Sequence, residues 1–173
     1  MRKNKFAVSC LCLVALAAGG CQIGGGPNWN TDGQFNLERY VPHVTLIAKA
    51  ATINLLKEKD REVIELTGEL AGVVSESLKG EASIDPNLAQ QLVRDLVEQN
   101  APAVAADAGI MSVVDVVVAI AVGQVQDLLN KYGSQIDTNI VTVKLLIAAL
   151  DGVKDGSDAL LLPGGPPPIG LPD

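Results

Sequence analysis

The chain has few of the residues from which catalytic and metal sites are usually built. One His and three Cys occur among 173 residues, too few for a zinc site of Cys and His ligands. His43 is the only imidazole, and the GxSxG nucleophile motif and the glycine-rich phosphate-binding motifs are missing. We therefore predict no catalytic residue, no metal ligand and no cofactor. A small secreted hydrolase that uses a pair of acidic side chains is the catalytic alternative.

Positive charge and aromatic side chains are also scarce. Lys and Arg number 13 against 20 Asp and Glu, which gives a formal net charge of -7. Such a chain lacks the basic surface that phosphate backbones require, so we predict no nucleic-acid partner. Aromatic residues make up only 3%, which disfavours a carbohydrate site with aromatic platforms. Apolar residues make up 48%, enough for a folded core.

The N-terminus has the three parts of a secretory signal. Met1-Arg2-Lys3-Asn4-Lys5 is cationic, Phe6 to Ala18 is an uncharged apolar run, and Gly19-Gly20 provides a small-residue exit. The apolar run is too short for a membrane span. We therefore predict a signal peptide over residues 1–20 that is removed on export.

The last residues of this segment lie directly before a cysteine. Leu16-Ala17-Ala18-Gly19-Gly20-Cys21 resembles the lipobox of bacterial lipoproteins. The resemblance implies that Cys21 receives a diacylglyceryl group and becomes the first residue of the mature protein. It also implies anchoring to the cell envelope through acyl chains, with Gln22 favouring the outer membrane where the host has one. The alternative is an ordinary signal peptide, with Cys21 a bystander.

The mature chain would differ in charge from the full sequence. Cleavage before Cys21 removes Arg2, Lys3 and Lys5, so the net charge changes from -7 to -10 and 153 residues remain. Anionic headgroups would repel such a chain, and attachment would depend on the acyl chains.

Composition divides the remainder into three parts. We predict a flexible tether over residues 21–40, a helical domain over 41–162 and a disordered Pro/Gly-rich tail over 163–173. Trp29, Phe35 and Tyr40 cluster near the tether, where they either sit at a membrane interface or pack on the domain, and we favour packing. The tail is interpreted as a spacer, with a ligand for a partner's groove as the alternative.

Periodicity predicts an all-α bundle of four to six helices. Apolar residues recur at three- and four-residue steps after Pro42 and between Val63 and Val74. Lys57 to Glu62 is predicted to be an exposed turn or a bend. Further start and stop signals predict helices that begin at Asp85-Pro86, at the capping-box-like Ser112 to Asp115 and at Asp137, and that end at Asn100, at Gly133 and at Gly152.

Two helical segments invite functional interpretations. Val113–Leu129 is the most hydrophobic stretch, and we predict a core helix, with a buried strand or membrane insertion as alternatives. Five glutamates between Glu58 and Glu76 fall on one line of a helical wheel, which could suggest a cation site; a water-facing stripe is the simpler interpretation. Gly68 and Gly72 form a GxxxG pattern, which outside lipid indicates at most a close helix contact.

These observations predict a non-catalytic, lipid-anchored envelope protein with a helical binding or scaffolding domain. Its partners would be the membrane, through the acyl chains of Cys21, and an unidentified envelope protein. The main alternative is a membrane-active protein that opens Val113–Leu129 and Ile140–Leu150 into the bilayer. The sequence pattern predicts neither the oligomeric state nor the identity of the partner.

Overall fold

The computed structural model describes residues 35–163, and these residues form an all-α bundle, as predicted. Two short 3-10 helices, Leu37–Arg39 and Gly133–Gln135, precede the first and last long helices. No strand occurs between residues 35 and 163, so Val113–Leu129 is helical. The six α-helices are α1 Val41–Leu56, α2 Arg61–Leu78, α3 Ala89–Asn100, α4 Pro102–Ala105, α5 Ala108–Tyr132 and α6 Thr138–Leu161.

Helix α6 is the centre of the bundle and packs against α1, α2 and α5. Its start agrees with the prediction, because the Asp137 carboxylate accepts hydrogen bonds from the backbone N–H groups of Asn139 and Ile140. The predicted end at Gly152 is wrong, since the helix continues to Leu161. A Cβ at Gly152 would lie 2.4 Å from the carbonyl oxygen of Thr45 on α1. This glycine therefore marks a close helix crossing and not a helix end.

Helix α2 packs on α6 through small residues. A Cβ at Gly68 would lie 2.9 Å from the Cβ of Ser157, so the first glycine of the GxxxG pattern does mark a close contact. Ser75 donates a hydrogen bond of 2.8 Å to Asp151 of α6. Leu66 and Val73 belong to the apolar period predicted between Val63 and Val74, but both are exposed, so that prediction is partly wrong. The buried side is centred on small residues because they allow the two backbones to approach.

Helix α3 covers the groove between α2 and α5. The core between these helices and α6 contains only a small apolar void of about 10 Å³, close to the least volume that holds one water molecule. Val93 and Val97 of α3 are fully buried, and Leu92 and Leu96 are half-buried. The interior of the domain is therefore close to solid and offers no ligand cavity at this place.

The start of α5 differs from the prediction. The helix begins at Ala108, and the carboxylate of Asp107 accepts hydrogen bonds from Gly109 and Ile110. Ser112 lies inside the helix and donates to the carbonyl oxygen of Gly109, so the predicted capping box does not form. The predicted end at Gly133 is confirmed, and its φ of 59° favours glycine.

Packed structure begins earlier in the chain than the predicted tether boundary at residue 40. Leu37 and Tyr40 are buried, and the Phe35 ring stacks on Tyr40 with ring centroids 5.5 Å apart. Phe35 also contacts the ring of Tyr132 at 4.9 Å. For these aromatic residues the packing interpretation is confirmed, because each ring gains an apolar neighbour. Trp29 lies outside the described residues.

Candidate functional site

The one site residue that the sequence predicts, Cys21, lies outside the described residues, as do the rest of residues 1–34 and residues 164–173. The lipobox and most of the predicted tail therefore stay predictions. A candidate binding site lies instead on the surface of the described domain.

A surface groove lies where the α2–α3 loop meets α3. Its volume is about 360 Å³, and it is lined by Glu81, Ser83, Ile84, Asp85, Leu88, Gln91, Leu92 and Asp95. Ile84 is buried and Leu92 half-buried, whereas 57% of Leu88 is exposed. A leucine this exposed beside two more apolar side chains provides a place for an apolar group from another molecule.

Local sequence explains why this loop keeps its shape. The carboxylate of Asp85 accepts hydrogen bonds from the backbone N–H and the side-chain amide of Asn87, which closes an Asx turn. Ile84 donates its backbone N–H to the carbonyl oxygen of Asn139, tying the loop to the first turn of α6. The predicted helix start at Asp85-Pro86 is wrong, because the turn delays the start of α3 to Ala89 and leaves Leu88 exposed before it.

The charges around this groove are negative. Glu81, Asp85 and Asp95 line it, no basic residue does, and none of the three forms an ion pair within residues 35–163. These carboxylates attract cationic groups to the edge of a groove whose base is apolar. The arrangement suits non-covalent binding of a segment that carries a Lys or Arg next to an apolar side chain.

The glutamates of α2 form no such concave site. Glu62, Glu65, Glu69 and Glu76 are exposed on its outer side, and Glu58 lies in the turn before the helix. Arg61 pairs with Glu65, and Lys79 pairs with Glu76, which raises the pKa of that lysine. Within residues 35–163, no three His, Cys, Asp or Glu side chains are placed to hold a metal ion. The water-facing interpretation of the stripe agrees with this exposure.

A polar pair joins α3 to α5 behind the groove. Arg94 donates two hydrogen bonds to the Asp115 carboxylate, at 3.0 Å from Nε and 2.6 Å from Nη2, and Gln90 donates a third. Burial opposes ionisation of Asp115, but the hydrogen bonds and the positive charge of Arg94 outweigh it and lower the pKa of Asp115 below its usual value. This pair holds α3, which carries Asp95 and begins directly after Leu88, against α5.

A second polar contact joins the start of α1 to the end of α5. The hydroxyl groups of Tyr40 and Tyr132 form a hydrogen bond of 2.9 Å. Burial and this hydrogen bond raise the pKa of the Tyr40 phenol far above its ordinary value of about 10. The start of α1 and the end of α5 are therefore joined, with Phe35 stacked on Tyr40 and tilted against Tyr132.

Helix α5 has the length and composition of a membrane span. Its mean hydropathy reaches 2.1 over an 18-residue window, and 44% of that window is buried inside the bundle. Among the described helices it is the one that meets these criteria. A core helix of a water-soluble bundle meets them as well, so composition alone does not decide where α5 acts.

Comparison with models of known protein families, with characterised proteins and with solved structures found no match.

Proposed function

We propose that this protein is a lipid-anchored component of the bacterial cell envelope whose helical domain binds a partner protein without catalysing a reaction. The lipobox resemblance supports the anchor at Cys21, and Gln22 favours the outer membrane. The observation that carries the binding role is the groove around Leu88, where exposed leucine lies among three carboxylates. Its partner would be a protein segment with basic residues beside an apolar side chain.

The anchor is tested by mass spectrometry of the mature N-terminal peptide from membrane and soluble fractions. A diacylated Cys21 in the membrane fraction, lost in Cys21→Ala, is the expected result. An unmodified N-terminus in the soluble fraction would show a freely secreted protein and overturn the anchor.

The groove is tested with a synthetic amphipathic peptide of Leu and Lys, by isothermal titration on the purified mature chain. Neutralising the rim with Glu81→Gln, Asp85→Asn and Asp95→Asn should weaken binding by at least about tenfold. Asn at position 85 keeps an acceptor for the Asx turn, so the loop should retain its shape. Leu88→Ser should weaken binding as well, and it removes little buried surface.

A matched control separates groove binding from general attraction to an acidic protein. Glu62→Gln, Glu69→Gln and Asp127→Asn remove the same charge from exposed positions without ion pairs in the described part of the chain. This control should bind the peptide nearly as well as the unchanged chain. Equal loss in both triple variants would show that net charge alone attracts the peptide and would refute the groove.

A membrane-active role is the second candidate, and the hydropathy of α5 is the observation that favours it. It requires α5 and the first half of α6 to leave the bundle and enter lipid. Leakage of dye from vesicles on addition of the protein without its acyl chains would support this role. An inert monomer that unfolds in one cooperative transition would argue against it.

A further inference from the structure

Helices α1 and α5 lie side by side and antiparallel along the bundle. At one end the hydroxyls of Tyr40 and Tyr132 are hydrogen bonded. At the other end Lys59, just past α1, places its Nζ 3.5 Å from the position that a Cβ on Gly109 would occupy. Their outward sides therefore form one continuous face. We call it the α1–α5 face, and its exposed or half-buried apolar residues are Leu46, Ala50, Ile53, Val116 and Ala119.

This face carries few carboxylates in a strongly acidic chain. Helix α1 contains no Asp or Glu, and its titratable side chains are His43 and Lys49. Helix α5 contains two carboxylates: Asp115, which is turned toward Arg94 of α3, and Asp127, which is exposed near the Tyr132 end of the face. By contrast, α2 exposes four glutamates, and α6 exposes three aspartates. The negative charge of the domain is therefore concentrated on its other sides.

The predicted anchor joins the domain at the end of this face. Phe35, the first described residue, stacks on Tyr40 at the start of α1 and contacts Tyr132 at the end of α5. Cys21 lies 14 residues earlier in the sequence. Fourteen residues reach at most about 50 Å when fully extended. A bilayer that holds acylated Cys21 would be within reach of the whole α1–α5 face.

The size of the face distinguishes between two apolar occupants, a second copy of the chain and a bilayer. Sixteen residues of helix are about 24 Å long, and two helices side by side are about 20 Å wide, so the face covers about 500 Å². Stable protein interfaces bury about 800 Å² of accessible surface on each partner, so a face of this extent is small for a dimer contact. A tethered domain needs far less intrinsic affinity for a surface, because the anchor keeps its local concentration high.

We propose that the α1–α5 face lies against the bilayer when the chain is anchored through Cys21, with Leu46 pointing to the headgroup region. This inference depends on the proposed anchor. Carboxylates repel anionic headgroups, so a chain of this charge approaches lipid best through the face that carries the fewest of them. The apposition is peripheral, and α5 stays packed on α6.

The experiment measures contact with lipid from both sides of the domain. The mature chain, in a Trp29→Phe background, is coupled through the Cys21 thiol to a maleimide phospholipid. It is then incorporated into vesicles of phosphatidylcholine and phosphatidylglycerol with brominated acyl chains. Leu46→Trp reports on the α1–α5 face. Val73→Trp is the matched control, because Val73 is 46% exposed on the outer side of α2.

We expect bromine to quench the fluorescence of Leu46→Trp at least about twice as strongly as that of Val73→Trp. Adding Ala119→Glu, which places a carboxylate on an exposed position of the face, should bring quenching down to the control level, whereas Gln99→Glu on α3 should not. Equal quenching of the two tryptophan variants would overturn the proposal. A concentration-dependent blue shift of Leu46→Trp without vesicles would also overturn it, since a second copy would then cover the face.

Chemical coupling separates this inference from the proposed function. If cells leave Cys21 unmodified, the proposed anchor fails, although the coupled chain still reports whether the face contacts lipid. If cells acylate Cys21 but quenching is equal on both sides, the anchor stands and the orientation on the bilayer is wrong.

Discussion

Replacing Gly152 with Ala should destabilise the domain, although Ala is the better helix former. The new Cβ would lie 2.4 Å from the carbonyl oxygen of Thr45, 2.9 Å from the Cβ of Ala48 and 3.1 Å from the backbone nitrogen of Lys49. None of these atoms belongs to a long side chain that could turn away. Helix α1 would therefore have to move off α6 along the most extensive contact of the bundle.

The magnitude results from two opposing effects. Exchanging Gly for Ala inside a helix stabilises by about 1 kcal/mol through backbone entropy. Overpacking in a close-packed interior costs about 1–3 kcal/mol, and the backbone contacts place this site at or above the upper end. We expect a net loss of about 2 kcal/mol or more, a large part of the roughly 5–15 kcal/mol that stabilises a domain.

Urea unfolding followed by circular dichroism measures this loss, and Gly123→Ala is the matched control. Gly123 lies inside α5, and a Cβ there would meet no atom within 4 Å, so this variant should gain about 0.5–1 kcal/mol. The two glycine replacements should thus move the urea midpoint in opposite directions. A Gly152→Ala variant as stable as the unchanged chain would refute the close α1–α6 crossing.

Three further predictions concern polar groups. Ser157 is fully buried, and its hydroxyl has no hydrogen-bond partner within residues 35–163. Ser157→Ala should therefore leave the free energy of unfolding in urea unchanged or raise it by up to about 1 kcal/mol. Ser75→Ala breaks the hydrogen bond to Asp151 and should destabilise the domain. Tyr40→Phe should cost about 1 kcal/mol near pH 8. Because the folded pKa of Tyr40 is raised, the stability linked to its protonated phenol is fully present below about pH 10 and is lost as pH rises toward the folded pKa. The stability that Tyr40→Phe loses relative to the unchanged chain should therefore be smaller in unfolding near pH 11. An equal loss at both pH values would count against the buried phenol. Arg94→Met should cost up to about 1 kcal/mol at neutral pH, against almost nothing for Arg61→Met. Because the folded pKa of Asp115 is lowered, ionised Asp115 contributes to the stability of the domain above about pH 4, and this contribution is lost as pH falls through the folded pKa. Arg94→Met should therefore lose less stability than the unchanged chain when the pH is lowered.

Sequence pattern predicted the fold class because helix signals are local. Pro42, Asp137 and Gly133 each act on the backbone within a few residues, and the structure has the helix ends that they predict. Several wrong predictions concern residues whose role depends on a distant helix. Gly152 resembles a helix end until α1 is placed against it. Asp115 resembles part of a capping box until Arg94 of α3 is placed beside it.

The candidate groove escaped sequence analysis for a related reason. Leu88 follows the apolar period of α3, and period alone predicts burial. Its exposure results from the Asx turn at Asp85, which delays the start of the helix. The Asp-Pro-Asn sequence is a turn signal that could have indicated this. The carboxylates of Glu81 and Asp95 become neighbours of Leu88 only through the tertiary structure.

The two membrane roles considered for α5 differ in what each requires of Asp115. Insertion of α5 would carry this carboxylate into hydrocarbon and break its hydrogen bonds to Arg94, and an acidic side chain at the centre of a bilayer costs about 3 kcal/mol or more. It would also break the packing of α5 on α1 and α3. Peripheral apposition keeps these contacts and uses only side chains that already face outward. Quenching at Leu46→Trp without vesicle leakage would fit apposition, and quenching with leakage would fit insertion.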